Sequence, residues 1–261
     1  MPWLGFGTFQ LLGETAETST DWALEIGYRS IDTATAYHNE AAVGRGIRNS
    51  GVPRDEVLLT TKVWNTDQGY DATMTAFEAS LERLGTDYVD LYLIHWPVEA
   101  TFRETWRALE DLYEAGRTRA IGVCNFLVHH LEELLEGARI VPMVNQVEFH
   151  PRLQQPDLQA FCERHDIRVE AWRPIMQGGV LEIPELVELG EVLGKSAIQV
   201  TLRWIVQKGV VAIPRSSRRD HIEANADIFD FELTAEQMKV IDNLDRGLRT
   251  GEDPDDFDFG A

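Results

Sequence analysis

The sequence is poor in cysteine and in lysine, and it has no long apolar run. Its two cysteines, Cys124 and Cys162, are too few and too far apart for a disulfide framework or a zinc site of ordinary spacing, so no metal is expected. No apolar stretch reaches the roughly 18 residues needed to span a bilayer. The opening Met1-Pro2-Trp3-Leu4-Gly5 lacks the basic-then-apolar layout of a signal peptide. A soluble, cytoplasmic protein is the expectation, with no membrane partner. Only four lysines occur, Lys62, Lys195, Lys208 and Lys239, and the 24 basic residues face 44 acidic ones for a net charge of −20. Neutralising phosphates needs clustered basic side chains, so nucleic acid is excluded as a partner. The acids are spread along the chain, which suggests a surface adapted to high salt, where screening weakens self-repulsion.

What the 261 residues do contain, at 44% hydrophobic content, is an alternation of short apolar runs with longer helical-period segments, the form of repeated βα units. The expected strands are Val57 to Val63, Val89 to His95, Arg119 to Asn125, Met143 to Glu148, Ile167 to Trp172 and Gly209 to Ile213, with shorter ones near Leu4 to Phe6 and Arg29 to Asp32. Met74, Phe77, Leu81 and Leu84 mark one amphipathic helix, and Phe102, Trp106, Leu109 and Tyr113 another. Further helices are expected over Thr15 to Ile26, Glu40 to Arg48, Val128 to Leu135, Asp157 to His165, Ser196 to Gln207 and His221 to Asp227. Eight strands and eight helices without a Pro/Gly-rich linker fit one closed (β/α)8 TIM barrel of the α/β class, spanning residues 1–261 as a single domain. An open doubly wound sheet with a small second domain is the competing architecture, and the absence of a Gly-x-Gly-x-x-Gly turn counts against it. Thr234 to Asp245 reads as an extra C-terminal helix, and 246–261 as a tail across one barrel mouth.

Side chains at the C-terminal ends of barrel strands converge on one mouth. Asp32 closes the second strand, Tyr37 lies five residues on, Lys62 is near the end of the third strand, and His95 ends the fourth. Reducing a carbonyl needs an acid for the forming alkoxide and donors for its oxygen. A tyrosine becomes a useful acid when an ammonium stabilises its phenolate, so Lys62 is expected to lower the Tyr37 pKa, with Asp32 fixing the lysine. His95 can donate to the carbonyl oxygen. Taken singly, each of these residues is as readily a cap, a surface charge or a satisfied polar group.

Their flanking sequence is more specific: Gly27-Tyr28-Arg29-Ser30-Ile31-Asp32-Thr33-Ala34, Tyr37-His38-Asn39-Glu40, Thr61-Lys62-Val63-Trp64 and His95-Trp96-Pro97. This pattern resembles the aldo-keto reductase family, from Gly5-Phe6-Gly7-Thr8 to Asp245. The resemblance implies NADP(H)-dependent reduction of aldehydes or ketones, with NAD(H) also admitted. It makes Tyr37 the general acid, Lys62 and Asp32 its partners, and His95 the residue that orients substrate. It further implies that Asn125 and Gln146 hold the nicotinamide carboxamide and that Trp172 stacks on the ring. Thr8 joins the cofactor-binding set, Arg215 and Ser216 would hold the adenosine 2′-phosphate, and Asn225 the adenine. Phe9, Trp64 and Trp96 would wall the pocket for a small carbonyl substrate, with the tail as a lid. The short tail is similar to that of the prokaryotic branch that includes diketogluconate and broad aldehyde reductases. A monomer is expected, with a dimer as the other option.

The sequence departs from the family's pattern at several points. His221 stands where Arg is common, and an imidazole, mostly neutral at neutral pH, grips phosphate less firmly than a guanidinium, so NADPH preference is expected to weaken unless Arg218 or Arg219 compensates. Cys124 and Arg173 each stand where Ser is usual. The thiol is a weaker donor, leaving more of the carboxamide to Asn125. Arg173 either contacts the pyrophosphate or points to solvent. The first strand follows almost at once from Met1, so the barrel bottom is expected to be an apolar end covered only by loops, open to a partner subunit or an upstream segment. A catalytically weak NADP(H)-binding regulatory barrel, and a barrel hydrolase or isomerase reusing the phosphate site, are the competing functions; the complete tetrad favours the reductase.

Overall fold

In the computed structural model, residues 1–257 are described. Eight short parallel strands run in sequential order: β1 (Phe6–Gly7), β2 (Ser30–Asp32), β3 (Leu58–Val63), β4 (Leu91–Ile94), β5 (Ile121–Cys124), β6 (Val144–Glu148), β7 (Arg168–Trp172) and β8 (Val211–Ala212). The barrel closes between β8 and the segment leading into β1, where the Gly5 amide donates to the Ala212 carbonyl at 2.9 Å and the Ala212 amide to the Trp3 carbonyl at 3.0 Å. Around it lie α1 (Gly13–Ile26), α2 (Glu40–Asn49), α3 (Tyr70–Leu84), α4 (Phe102–Glu114), α5 (Val128–Leu135), α6 (Pro156–Arg164), α7 (Pro184–Leu193), α8 (Ala197–Gln207), α9 (Arg219–Ala226) and α10 (Ala235–Asp242). None of the described helices is long and apolar enough to cross a membrane.

The expected barrel and its terminal helix are present, with most strands shorter than read. The helix α7 was not anticipated, because Leu186-Val187-Glu188-Leu189-Gly190-Glu191 mixes apolar and acidic residues without a clean stripe, and Val187 and Val192 are in fact exposed. Gly190 fits there for lack of a side chain: a Cβ would come within 2.5 Å of the Lys195 carbonyl oxygen. Gly85 ends α3 in the left-handed region at φ 67°, a conformation that disfavours other residues.

Two apolar layers result. The larger one lies between strands and helices and holds Phe77, Trp106, Phe126, Phe149 and Trp204. The smaller lies inside the barrel, where Leu91, Leu93 and Val144 pack with Leu58, Ala120 and Met143. Above it the barrel interior turns polar. Cys124 lies opposite Gln146 and Gln146 opposite Glu170 in the strand register, so neighbouring strands deliver these side chains at one level. The bottom of the barrel is less apolar than expected. Its groove of about 460 Å³ is lined by Met1 and Pro2 but also by Arg29, Glu56, Asp90, Arg119 and Arg168, since the loops there carry charges that pair, Arg54 and Arg119 both on Asp90.

The scarce lysines are nearly all committed. Lys62 is buried, Lys195 spans Asp227 at 2.8 Å and Asp230 at 2.7 Å, and Lys208 lies 3.2 Å from Asp242, while Lys239 on α10 is exposed.

Candidate active site

Four chain segments bring the expected tetrad together. Asp32 ends β2, Tyr37 ends a 3-10 turn (Thr35–Tyr37), Lys62 is the penultimate residue of β3, and His95 follows β4. Lys62 Nζ donates to Asp32 Oδ1 at 2.7 Å, to the Thr33 carbonyl at 3.0 Å and to the Tyr37 hydroxyl at 3.2 Å. An ammonium has three hydrogens, and all three are used. The His95 ring meets Tyr37 edge-on with centroids 5.6 Å apart, and Trp64 meets His95 at 5.1 Å.

Electrostatics here differ from the expectation in one respect. Burial pushes the Tyr37 hydroxyl up; Lys62 pulls it down and Asp32 pushes it up again, so the net direction is upward. The lowering by Lys62 exists but is outweighed, because the same wall that shelters the lysine also removes water from the phenol. Tyr37 therefore keeps its proton throughout the neutral range. Burial works against the Lys62 ammonium, but Asp32 and Tyr37 more than offset it and the charge is held. Burial, then Lys62, drive His95 well below the ordinary imidazole range, so its ring is neutral.

A cavity of about 1220 Å³ opens over these residues and runs from Trp64, His95 and Trp96 past Gln146 and Trp172 to Arg215, Ser216 and His221. Phe9, Tyr37, Asn125 and Cys124 also line it. Thr8 and Asn225 do not: the Thr8 hydroxyl donates to the Asp32 carbonyl at 2.8 Å, and Asn225 is buried on α9. Asn125, in left-handed conformation at φ 65°, donates to the His95 carbonyl at 3.0 Å and accepts from Trp172 Nε1 at 2.8 Å. Burial pushes the Cys124 thiol up, so it stays neutral, 3.7 Å from Gln146 Oε1. Arg215 donates to the Phe9 carbonyl and to Gln10 Oε1. Arg218 pairs with Asp220, and Arg219 with Glu25 and Glu223, all exposed pairs; Arg218 lines the cavity beside His221.

The tail does reach the mouth, by contacts the sequence did not reveal. The amide of Thr250 donates to Glu148 Oε1 at 2.7 Å and that of Gly251 at 3.1 Å, while Arg173 donates to the Thr250 carbonyl. Arg173 thus latches the tail rather than facing solvent. Burial would raise the Glu148 carboxyl, but donors from His150 and Thr250 outweigh it and hold it below its ordinary range. Gly251 lies against the Trp172 ring, where a Cβ would approach within 2.3 Å. Phe257 stacks on Trp96 with centroids 4.2 Å apart. Residues 258–261 of the expected tail lie outside the described residues.

A parallel eight-stranded barrel thus carries a hydrogen-bonded Asp–Lys–Tyr chain and a histidine at its C-terminal mouth. The chain belongs to the Aldo/keto reductase family, whose sequence pattern matches residues 3–246. It is 55% identical over 260 residues to the glyoxal reductase of Bacillus subtilis, covering 99% of this chain and 94% of that one. The crystal structure of MGS-M4, an aldo-keto reductase from a Medee basin deep-sea metagenome library, superposes with a TM-score of 0.96 at 44% identity, covering 99% of this chain and 96% of the other. A mutant of Gox0644 in complex with NADPH superposes with a TM-score of 0.92 at 41% identity, covering 99% and 95%.

Proposed function

We propose that the protein reduces small aldehydes and ketones to alcohols using NADPH, with Tyr37 as the proton donor. The observation that carries this is the Tyr37 hydroxyl held 3.2 Å from a buried ammonium that is itself fixed by Asp32. The cavity suits a dinucleotide: it is long, it has an aromatic wall at Trp172 beside the amides of Asn125 and Gln146, and it has Arg215, Ser216 and the start of α9 at its far end. Bound there, the cofactor supplies a hydride to the carbonyl carbon.

The protein's own groups supply the rest. Neutral His95 donates to the carbonyl oxygen and orients it between itself and Tyr37. As that oxygen becomes an alkoxide, a stronger base than a phenolate, the Tyr37 proton moves to it downhill despite the burial of the phenol. Lys62 then faces the phenolate and stabilises it. The oxygen ends as a hydroxyl, with one hydride on carbon and one proton from Tyr37. Phe9, Trp64 and Trp96 leave room for compact carbonyls, and the likeness to glyoxal reductase supports small dicarbonyl substrates. Following NADPH and NADH absorbance across a panel of aldehydes, ketones and dicarbonyls tests this reading, and failure to oxidise either cofactor with any of them would sink it.

Two further expectations arise here. His221→Arg should raise the ratio of kcat/KM for NADPH over NADH by about tenfold, the lower end of the worth of a charge-assisted phosphate contact because the position is exposed; an unchanged ratio would show that residue 221 does not meet the 2′-phosphate. With a net charge of −20, the thermal midpoint should climb steadily from low to multimolar KCl, and a flat profile would remove the case for a salt-adapted surface.

A further inference from the structure

Glu170 takes no part in the steps above, yet it is buried inside the barrel beside the relay, 1% exposed. It lies across from Gln146 on β6 and from Val211 on β8. Gln146 Nε2 donates to Glu170 Oε2 at 2.6 Å and to Asp32 Oδ2 at 2.8 Å. An amide nitrogen has two hydrogens, and both are spent on carboxyl oxygens. Gln146 Oε1 is therefore left as the acceptor, on the side of Cys124 and the cavity wall. Turning the amide over would set its oxygen against the Asp32 carboxyl oxygen.

We propose that Glu170 is a positioning residue for the reduction: through Gln146 it fixes the acceptor presented to the cofactor's carboxamide, and its charge state sets how readily Tyr37 gives up its proton. The inference rests on the proposed NADPH-dependent reaction. Around Glu170 the charged or titratable groups are Asp32 from β2, Lys62 from β3 and the neutral Cys124 from β5, with the amide of Gln146 from β6; β1 and β8 bring none. One cation thus faces two carboxyls, and a second buried anion has no partner of its own. Burial first, then Asp32, push Glu170 up to about 8, against the pull of Gln146 and Lys62. Below that pH it is neutral. Above it, a negative charge appears three hydrogen bonds from Lys62, through Gln146 and Asp32, competes with Tyr37 for the ammonium's field and makes Tyr37 a poorer acid. The stability sign is the same: the native state holds this proton above the ordinary carboxyl range, so its contribution is present at acid pH and lost as pH rises through about 8.

The test uses the full chain with Glu170→Gln, which keeps an acceptor and cannot ionise, and Glu170→Leu, which removes both. In the wild type, kcat for reduction should fall about tenfold between roughly pH 7 and 9, the change in protonated fraction for a group titrating near 8. In Glu170→Gln that fall should shrink below about twofold, and the thermal midpoint should gain on wild type as pH rises. In Glu170→Leu the NADPH Kd, read by tryptophan fluorescence, should rise about tenfold, with Glu170→Gln restoring most of it. A purely structural role would lower thermal midpoints and leave the pH profile in place. An alkaline limb that persists in Glu170→Gln, or a wild-type NADPH Kd in Glu170→Leu, overturns the proposal. A wild type that binds NADPH but turns over no carbonyl fails the proposed reaction instead, and the fluorescence comparison still decides the positioning role. Should Glu170→Leu not fold, Glu170→Gln alone decides through its pH profile.

Discussion

Replacing Tyr37 by phenylalanine is expected to lower kcat for carbonyl reduction by roughly a thousandfold, the middle of the range for removing a general acid. NADPH affinity should stay within a few-fold, because the change deletes one oxygen and leaves the ring. That ring's contacts do not depend on the hydroxyl: Phe9 meets it with centroids 5.1 Å apart, and Lys62 Nζ lies 4.9 Å from its centre. The thermal midpoint should fall modestly, because one hydrogen of the buried Lys62 ammonium loses its acceptor, a cost of about 1 to 3 kcal/mol. Measuring kcat and NADPH Kd on the same preparation separates loss of the proton from loss of the cofactor. Turnover within about tenfold of wild type would mean that another group or water delivers the proton, since loss of a general acid costs more than that.

Lys62→Met is expected to have an effect as large, and on two quantities at once. Activity should fall at least as far as in Tyr37→Phe, since the phenolate loses its counter-charge. Stability should fall by about 3 to 5 kcal/mol, the usual cost of stripping one partner from a buried ion pair. Asp32 is 3% exposed and would keep Gln146 as a donor but lose its cation. Adding Asp32→Asn removes the stranded charge, so the double variant should regain most of the stability and none of the activity. Chemical denaturation of the three variants beside their kinetics checks this. Recovery of activity in the double variant would contradict the role given to the ammonium, and equal stability of the single variant and wild type would show that the pair is solvated.

The barrel and its tetrad were legible in the sequence because both leave local marks. Apolar runs ending in Asp32 and His95, and a lysine inside an otherwise uncharged strand, announce a mouth at which polar groups collect. Glu170 left the same kind of mark, one acid among Ile167, Val169 and Ala171, but its partner Gln146 is 24 residues away and their union needs the strand register. The tail's anchor was more distant still, since Thr250 meets Glu148 across 102 positions. The direction of the Tyr37 shift is not legible in the sequence for a related reason: a nearby ammonium can be named from sequence, whereas the water excluded by Phe9, His95 and Trp64 cannot be weighed until they are in place.

The commitment of the lysines has a practical side. Lys62 is sealed beneath the large cavity, while Lys195 and Lys208 are tied to carboxylates, and Lys239 is the exposed one. Amine-directed reagents such as succinimidyl esters therefore meet few competing targets on this surface. Among the lysines a dye, a bead or a cross-linker would attach chiefly at Lys239 on α10, so labelled or immobilised protein would adopt few orientations without any engineered handle.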